Sequence, residues 1–276
     1  MARITIVTPV FNGINYISEC VENVRSQAVE NLEHLVIDGG STDGTREKLA
    51  ELAEEQSHLR FVSEKDKGQS DAMNKGIRLA TGEIIGILNV DDFYEPDTVR
   101  EAADYLTRYP KIDFVTGNCR IIDENGKLIE INRPRDLRLE SLILRLNDGK
   151  FPANPSAYFY RKSIHSIVGE YDISEHYMMD LLFLLNCAAK VRMAYVSRLW
   201  GNMRMMPGTK TYNDSRSGTV PARRNQLRSL WLGRLSPAQR RRMWILTQRI
   251  RVWKTAMWYF RAVGRLFTRL APPQAS

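Results

Sequence analysis

Residues 80–92 read Ala80-Thr-Gly-Glu-Ile-Ile-Gly-Ile-Leu-Asn-Val-Asp-Asp92. Glu83 to Leu88 forms a short apolar run rich in isoleucine, which predicts a buried strand that ends on Asn89-Val90-Asp91-Asp92. Upstream, the same logic gives a strand over Arg3 to Thr8 that stops at Pro9, a helix over Tyr16 to Gln27, and a strand over Leu32 to Ile37 that stops at Asp38. Gly39-Gly40-Ser41-Thr42-Asp43-Gly44 is turn chemistry with helix-capping residues, followed by a helix from Thr45 to about Glu55. A strand over Arg60 to Ser63 and a helix from about Ser70 to Ala80 complete the alternation. Strands alternating with helices imply a parallel sheet, and ligands bind such sheets beyond the carboxyl ends of the strands. Asp38, Asp91 and Asp92 all fall there.

Downstream the pattern loosens. Strands are expected near Asp113 to Gly117 and Cys119 to Ile122, with Glu124-Asn-Gly-Lys127 as a hairpin turn. Residues 137–214 are less periodic, with a short strand near Ala157 to Tyr160, a helix near Tyr177 to Ala189, and a loop from Met206 to Tyr212.

Adjacent carboxylates at an open sheet edge repel unless a cation or hydrogen-bond donors satisfy them. Mg2+ or Mn2+, held by one or two carboxylates together with diphosphate oxygens and water, answers that need. A solvated turn or a helix N-cap ahead of Glu95-Pro96 is the alternative for Asp91-Asp92. Asp38 before two glycines fits a carboxylate that accepts from a base N–H, or an Asx turn that only ends the strand. Phe11 in Thr8-Pro9-Val10-Phe11-Asn12 stacks on a base or fills the core.

Four motifs stand in order: Thr8-Pro-Val-Phe-Asn12, Asp38-Gly-Gly-Ser-Thr-Asp-Gly-Thr45, Gly68-Gln-Ser-Asp-Ala-Met-Asn-Lys-Gly76, and the stretch quoted first. In order and spacing they resemble the family 2 glycosyltransferases of GT-A fold, inverting enzymes that use nucleotide-activated sugars. The resemblance covers roughly residues 3–212 and is most specific over the first hundred. It implies an α/β GT-A fold, Rossmann-like, with a mostly parallel sheet and helices on both faces. It also implies that Pro9, Phe11 and Asn12 line the nucleotide pocket and that Asp38 binds the base, a uracil in many members. Gln69, Asn74 and Lys75 lie in the stretch that closes over the nucleotide. Asp91 contacts the ribose and metal region, and Asp92 ligates Mn2+ or Mg2+. Many relatives carry Asp where this chain has Asn89, which keeps an acceptor oxygen but loses a charge and so belongs behind the ligands.

The second half of the match is looser. Asn154-Pro-Ser-Ala-Tyr-Phe-Tyr-Arg-Lys162 resembles the acceptor-side strand, and Val168-Gly-Glu-Tyr-Asp172 the turn before the family's acidic catalytic helix. Met179-Asp180 aligns with that helix, making Asp180 the implied general base; the alternative is an Asp favoured by the helix dipole. Asp172 reads as a turn residue. Met203-Arg-Met-Met-Pro-Gly-Thr-Lys-Thr211 matches a segment that often reads Arg-x-His-Pro-Gly-Ser, so Arg204 and Lys210 pair with diphosphate or with surface acids, and Met206 stands where the family has His. His34, His58, His165 and His176 show no ligand spacing.

The chain has 276 residues, 43% hydrophobic and 26% charged, ordinary for a globular protein that folds without staples. Cys20, Cys119 and Cys187 are odd in number and widely spaced, which fits a reducing compartment. There is no signal-peptide pattern near the start and no run of about 18 apolar residues, so the expected location is cytoplasmic, peripheral on the inner face of the plasma membrane. The net charge of +8 hides an asymmetry: residues 215–276 carry 14 of the 40 basic residues and none of the 32 acidic ones. An acidic body, residues 1–214, divides at 110 into a nucleotide-sugar half and an acceptor half. A basic helical tail, residues 215–276, follows it. Ser236-Pro-Ala-Gln239 is a capping box with Pro at the first helical position. Leu246, Ile250, Trp253, Met257, Phe260, Phe267 and Leu270 then fall at helical spacing, mostly apart from Arg249, Lys254, Arg261, Arg265 and Arg269, up to Pro272-Pro273. Such a helix suits an anionic membrane surface; the alternatives are packing on the body or on a second copy in a homo-oligomer, with nucleic acid the least favoured partner. The expected partners are a nucleotide-sugar donor and a glycan or lipid-linked envelope acceptor. A sugar nucleotidyltransferase would need a Gly-rich basic loop after the first strand, which Thr8 to Gly13 lacks. A non-catalytic nucleotide-sugar or membrane-binding module of the same fold is the remaining alternative.

Overall fold

A computed structural model describes residues 2–270, with side chains as far as Val252 and at Thr255. Strand β1 (Ile4–Val10) is followed by α1 (Ile17–Arg25), β2 (Leu32–Asp38), α2 (Thr45–Glu55), β3 (Leu59–Ser63), α3 (Gln69–Leu79) and β4 (Ile84–Ile87). Each expected element of this half is present with ends shifted by one or two residues. Then come β5 (Phe93–Tyr94), α4 (Thr98–Arg108), β6 (Phe114–Asp123), β7 (Leu128–Asn132), α5 (Leu139–Leu144), β8 (Tyr158–Arg161), α6 (His165–Val168), α7 (Met179–Lys190) and β9 (Met193–Met205). Helices α8 (Lys210–Arg216), α9 (Val220–Arg234) and α10 (Pro237–Leu270) finish the described chain.

One nine-stranded sheet runs β3-β2-β1-β4-β8-β6-β9-β5, with β7 on β6. The first four strands are parallel, in the register Ile4↔Leu32 and Ile4↔Ile84. Strand β8 then enters antiparallel between β4 and β6, and β9 runs parallel to β6. The two short strands expected near 113–122 are one continuous β6, and the expected hairpin closes with Asp123 N–H donating to the Lys127 carbonyl at 3.0 Å.

Alternation along the strands feeds helices on both faces. Ile4, Ile6, Ile84 and Phe159 pack with α1 and α4 through Val24, Val99, Ala102 and Leu106. Val7, Ile85, Ile87, Tyr158 and Tyr160 point the other way and pack with Met73 and Ile77 of α3 and Phe183 and Leu184 of α7. Gly76 permits the close approach of α3 to β1, since a Cβ there would lie 2.3 Å from Val7 Cγ1.

The capping box forms as expected: Ser236 N–H donates to Gln239 Oε1 at 2.9 Å, and Gln239 N–H to Ser236 Oγ at 3.3 Å. Packing is a different matter from helicity. Leu227, Trp231 and Leu235 of α9 and its exit are buried with Leu139, Leu142, Met178 and Leu181, and Met243 of α10 packs on the same cluster. The Arg242–Glu140 ion pair, 2.8 Å, adds a polar tie between α10 and α5. The start of the basic segment therefore shares a core with residues of the body. Trp253, Lys254 and the stripe residues and arginines beyond them lie outside the described side chains, and Pro272-Pro273 outside the described residues. Among the described residues no helix is long and apolar enough to cross a membrane. The three cysteines are buried and unpaired.

Candidate active site

Strand ends deliver the acids. Asp92 follows β4 and is 4% exposed. Its Oδ2 accepts from Asn89 Nδ2 at 2.9 Å and Asn154 Nδ2 at 2.7 Å, and its Oδ1 from the Arg204 N–H at 3.1 Å. Burial, then repulsion from Asp91, pushes its carboxyl up to about 7 despite those donors. Asp91 is less buried, and desolvation also raises it, opposed by the nearby Arg204 guanidinium. A divalent cation would relieve this stress. A carboxylate offers about four acceptor sites, and three hydrogen bonds already fill most of those on Asp92. The donor set thus fits a Mg2+- or Mn2+-type ion that takes one or two carboxylates, with Asp91 the more open, and draws its other ligands from substrate oxygens and water. No group of three or more acidic, His or Cys side chains that could hold a metal ion occurs among the described residues.

Asn89 bridges Asp92 and α3: besides its bond to Asp92, its Oδ1 accepts from Gln69 Nε2 at 2.9 Å. Ser70, the next residue, donates to Met179 Sδ at 2.9 Å. Asp92, Asn89, Gln69, Ser70 and Met179 thus form a bonded path from the end of β4 to the residue before Asp180. Asp180 sits in the first turn of α7, and its Oδ1 is buried without a hydrogen-bond partner. Burial pushes its carboxyl up to about 6, while the Lys210 ammonium and the Tyr158 hydroxyl nearby hold it back. A carboxylate raised in this way is a stronger base than an ordinary one, and its unused buried oxygen suits it to accept a proton.

On the nucleotide side, Phe11 is 64% exposed, which excludes the core alternative for it; Pro9 beside it is buried. Asn12 takes a positive φ of 51° and ties two loops together, donating from its N–H to Ser41 Oγ at 2.7 Å and accepting at Oδ1 from Thr42 N–H at 3.0 Å. Asp38 is fully buried, accepting at Oδ2 from Ser63 Oγ at 2.6 Å and at Oδ1 from Ser41 Oγ. In this structure its carboxylate closes the turn over Gly39-Gly40, the Asx-type alternative, and a base N–H would have to share or displace those hydroxyls. Asp66, absent from the sequence reading, lies beside that turn: a Cβ on Gly39 would be 2.5 Å from Asp66 Oδ2.

Two other assigned residues need correction. Asn74 does not reach the site; it is 1% exposed and makes a reciprocal pair with the Tyr171 backbone, at 2.8 and 2.9 Å, because a buried amide needs both partners. Lys75 pairs with Glu64, which follows β3, Nζ to Oε1 2.6 Å. Arg204 does converge on the acids: it pairs with Glu19, stacks over Phe93 at 4.8 Å, and its charge acts on Asp91. Lys210 acts on Asp180 and lies 5.5 Å from the Tyr177 ring centroid. Asn154 was quoted as part of a strand motif and not as a site residue; its hydrogen bond to Asp92 crosses 62 positions, which no local pattern announces. Met206, where the family has His, accepts from the Tyr16 hydroxyl at 3.8 Å.

The model for the family described as Glycosyl transferase family 2 matches residues 5–167, more than half of the chain. The chain belongs to glycosyl transferase family 2. This family 2 chain is 38% identical over 126 residues to chondroitin synthase of Escherichia coli, a match that covers 46% of the chain and 18% of that protein. It is 32% identical over 126 residues to hyaluronan synthase of Pasteurella multocida, covering 46% of the chain and 13% of that protein. The chain therefore spans less than a fifth of either relative. Among solved structures, S. aureus TarS in complex with UDP-GlcNAc aligns with a TM-score of 0.60 at 18% identity, covering 76% of this chain and 60% of that one. A mannosyltransferase from Pyrobaculum calidifontis in complex with GDP-Man and Mn2+ gives 0.62 at 22% identity, covering 86% and 66%. At these identities the likeness is one of fold.

Proposed function

We propose that this enzyme moves a sugar from a nucleoside diphosphate donor to a hydroxyl of a glycan or lipid-linked envelope acceptor, with inversion at the anomeric carbon. The observation that carries the reading is the pairing of two unlike acid sites along one bonded path: the stressed Asp91-Asp92 pair and Asp180, with its raised carboxyl and one unused oxygen. Asp180 removes the acceptor proton as the acceptor oxygen bonds to the anomeric carbon, and the old bond's electrons leave on the diphosphate. Asp91 and Asp92 would hold a Mg2+ or Mn2+ ion, which would supply neutralisation of the charge that grows on that leaving group. Arg204 adds positive charge on the same side. The Lys210 ammonium near Asp180 favours its ionised form. Phe11 offers its ring to the base, and Asn12 fixes the loop that presents it.

Uridine is favoured because TarS is named in complex with UDP-GlcNAc, and guanosine follows from the mannosyltransferase complex with GDP-Man. The basic C-terminal segment brings the enzyme to an anionic membrane, where a lipid-linked acceptor resides. A panel of UDP-, GDP- and dTDP-sugars, with and without Mn2+, tests the catalytic reading. Metal-dependent hydrolysis or transfer with one donor is expected. Tight nucleotide binding with no turnover of any donor would instead mark a binding module.

A further inference from the structure

Between α5 and α10, away from the acids, lies a cavity of about 340 Å³ whose walls include Arg145, Lys150 and Arg249 together with the aliphatic Leu246 and Ile250. Its acid, Asp136, is already committed: its carboxylate accepts from Arg138 at 2.7 and 2.9 Å and from Ser141 Oγ at 2.6 Å. Neither an ion pair nor a side-chain hydrogen bond engages Arg145, Lys150 or Arg249 among the described residues. Three unpaired cations facing one space repel each other, and a doubly charged anion is the group that turns that repulsion into binding. Arg242 to Glu140 holds the two helices together beside the cavity, so its walls do not depend on a ligand for their position.

The surroundings identify the source of the anion. Ile245 and Val252, one helical turn to either side of Arg249, are 39% and 70% exposed, and Trp244 is 63% exposed. Exposed aliphatic groups around a cationic mouth gain nothing from a free ion in water but are buried by acyl chains. We propose that the α5–α10 cavity is a headgroup site for an anionic lipid phosphate, with Arg145, Lys150 and Arg249 on the phosphate and Ile245 and Val252 against the lipid chains. This gives the membrane attachment proposed above a discrete site on the folded part of the protein; it does not depend on the donor or acceptor chemistry.

The test uses the full chain and dihexanoyl phosphatidic acid, a lipid short enough to stay dissolved, followed by calorimetry or amide chemical shifts. Saturable binding is expected, tighter than for inorganic phosphate and absent for dihexanoyl phosphatidylcholine. Replacing Arg145, Lys150 and Arg249 together by Gln should weaken it on the order of a hundredfold, since each cation near an anionic headgroup counts for about a factor of five. The charge-matched Arg241→Gln, Arg251→Gln, Lys111→Gln protein should bind as the parent does. Ile245→Ser with Val252→Ser, on the surface and harmless to the fold, should weaken the lipid and leave inorganic phosphate unchanged. Equal affinity for phosphate and lipid overturns the proposal in favour of a free-anion site, and equal losses in the two triple variants overturn it in favour of diffuse charge. No binding of the soluble lipid also overturns it. Sedimentation with vesicles containing phosphatidic acid judges the wider membrane reading separately: vesicle binding that survives the Arg145, Lys150 and Arg249 changes leaves that reading standing and removes this site.

Discussion

Burial raises the carboxyls of both Asp180 and Asp92, but with different consequences, because their hydrogen-bond partners differ. Asp180 has an unused buried oxygen, and burial makes its carboxylate a stronger base, as the proposed proton removal requires. Replacing it with Asn is expected to lower kcat by about 10²–10⁴ with little change in donor KM. The parent's rate should fall on the acid side below about pH 6, and that limb should vanish in the variant. The stability sign runs the other way. A folded-state value above the ordinary one means the ionised form is disfavoured in the fold, so the charge costs stability above about pH 6 and nothing below the ordinary carboxylate range. Asp180→Asn should therefore raise the urea midpoint at pH 8 and leave it unchanged at pH 3; a lower midpoint at pH 8 would assign Asp180 a structural role. Asp92, by contrast, is held by donors. Removing one of them with Asn154→Ala should cost about 1.5–3 kcal/mol, the range for a hydrogen bond to a charged group, and should shift metal activation to higher concentration. Denaturant titration and a Mn2+ activation curve read the two effects.

At the scale of elements, each α/β unit was readable because its signals are local. Alternation of period two, a glycine or acid at the strand end and a capping residue at the helix start all lie within a dozen positions. The close contact between α3 and β1 adds a constraint that only Gly76 meets. Gly76→Val is expected to push the helix off the strand and to destabilise by about 1–3 kcal/mol or more, seen as a lower melting temperature with the same fold. Helix α10 starts on a reciprocal cap, so Ser236→Ala should cost about 1 kcal/mol locally and speed amide exchange over 237–241 while the sheet is unaffected. Strand β9 was missed, since its 13 residues mix Arg, Ser, Gly and Asn with apolar ones and it lies between β6 and β5, where polar side chains find partners such as Glu101 and Glu95. Periodicity fails where burial is satisfied by ion pairs in place of apolar contacts.

Over the whole molecule, the charge asymmetry suggested an acidic body with a separable basic tail, and packing modifies the point at which the chain can be cut. Leu227, Trp231 and Leu235 are buried against α5 and α7, each contributing roughly 1.5–3 kcal/mol by burial alone. Ending the chain near Pro221 should therefore destabilise the acceptor side, whereas ending it at Val252 keeps those contacts. Melting temperatures of the two truncations should differ by several degrees, and equal values would show that α9 docks without contributing. The sequence alone determined the α/β class, the family, the strand ends that bear Asp38, Asp91 and Asp92, and the cap at Ser236, because each depends on residues near one another in the chain. Only the tertiary structure decided which of those groups are free to act. It bonded the buried Asn74 to the Tyr171 backbone and Lys75 to the exposed Glu64, left Phe11 in solvent, and set Asn154 on Asp92 and Lys210 near Asp180. A side chain's charge and its spare hydrogen-bonding capacity depend on neighbours contributed from distant parts of the chain, and local pattern holds no record of them.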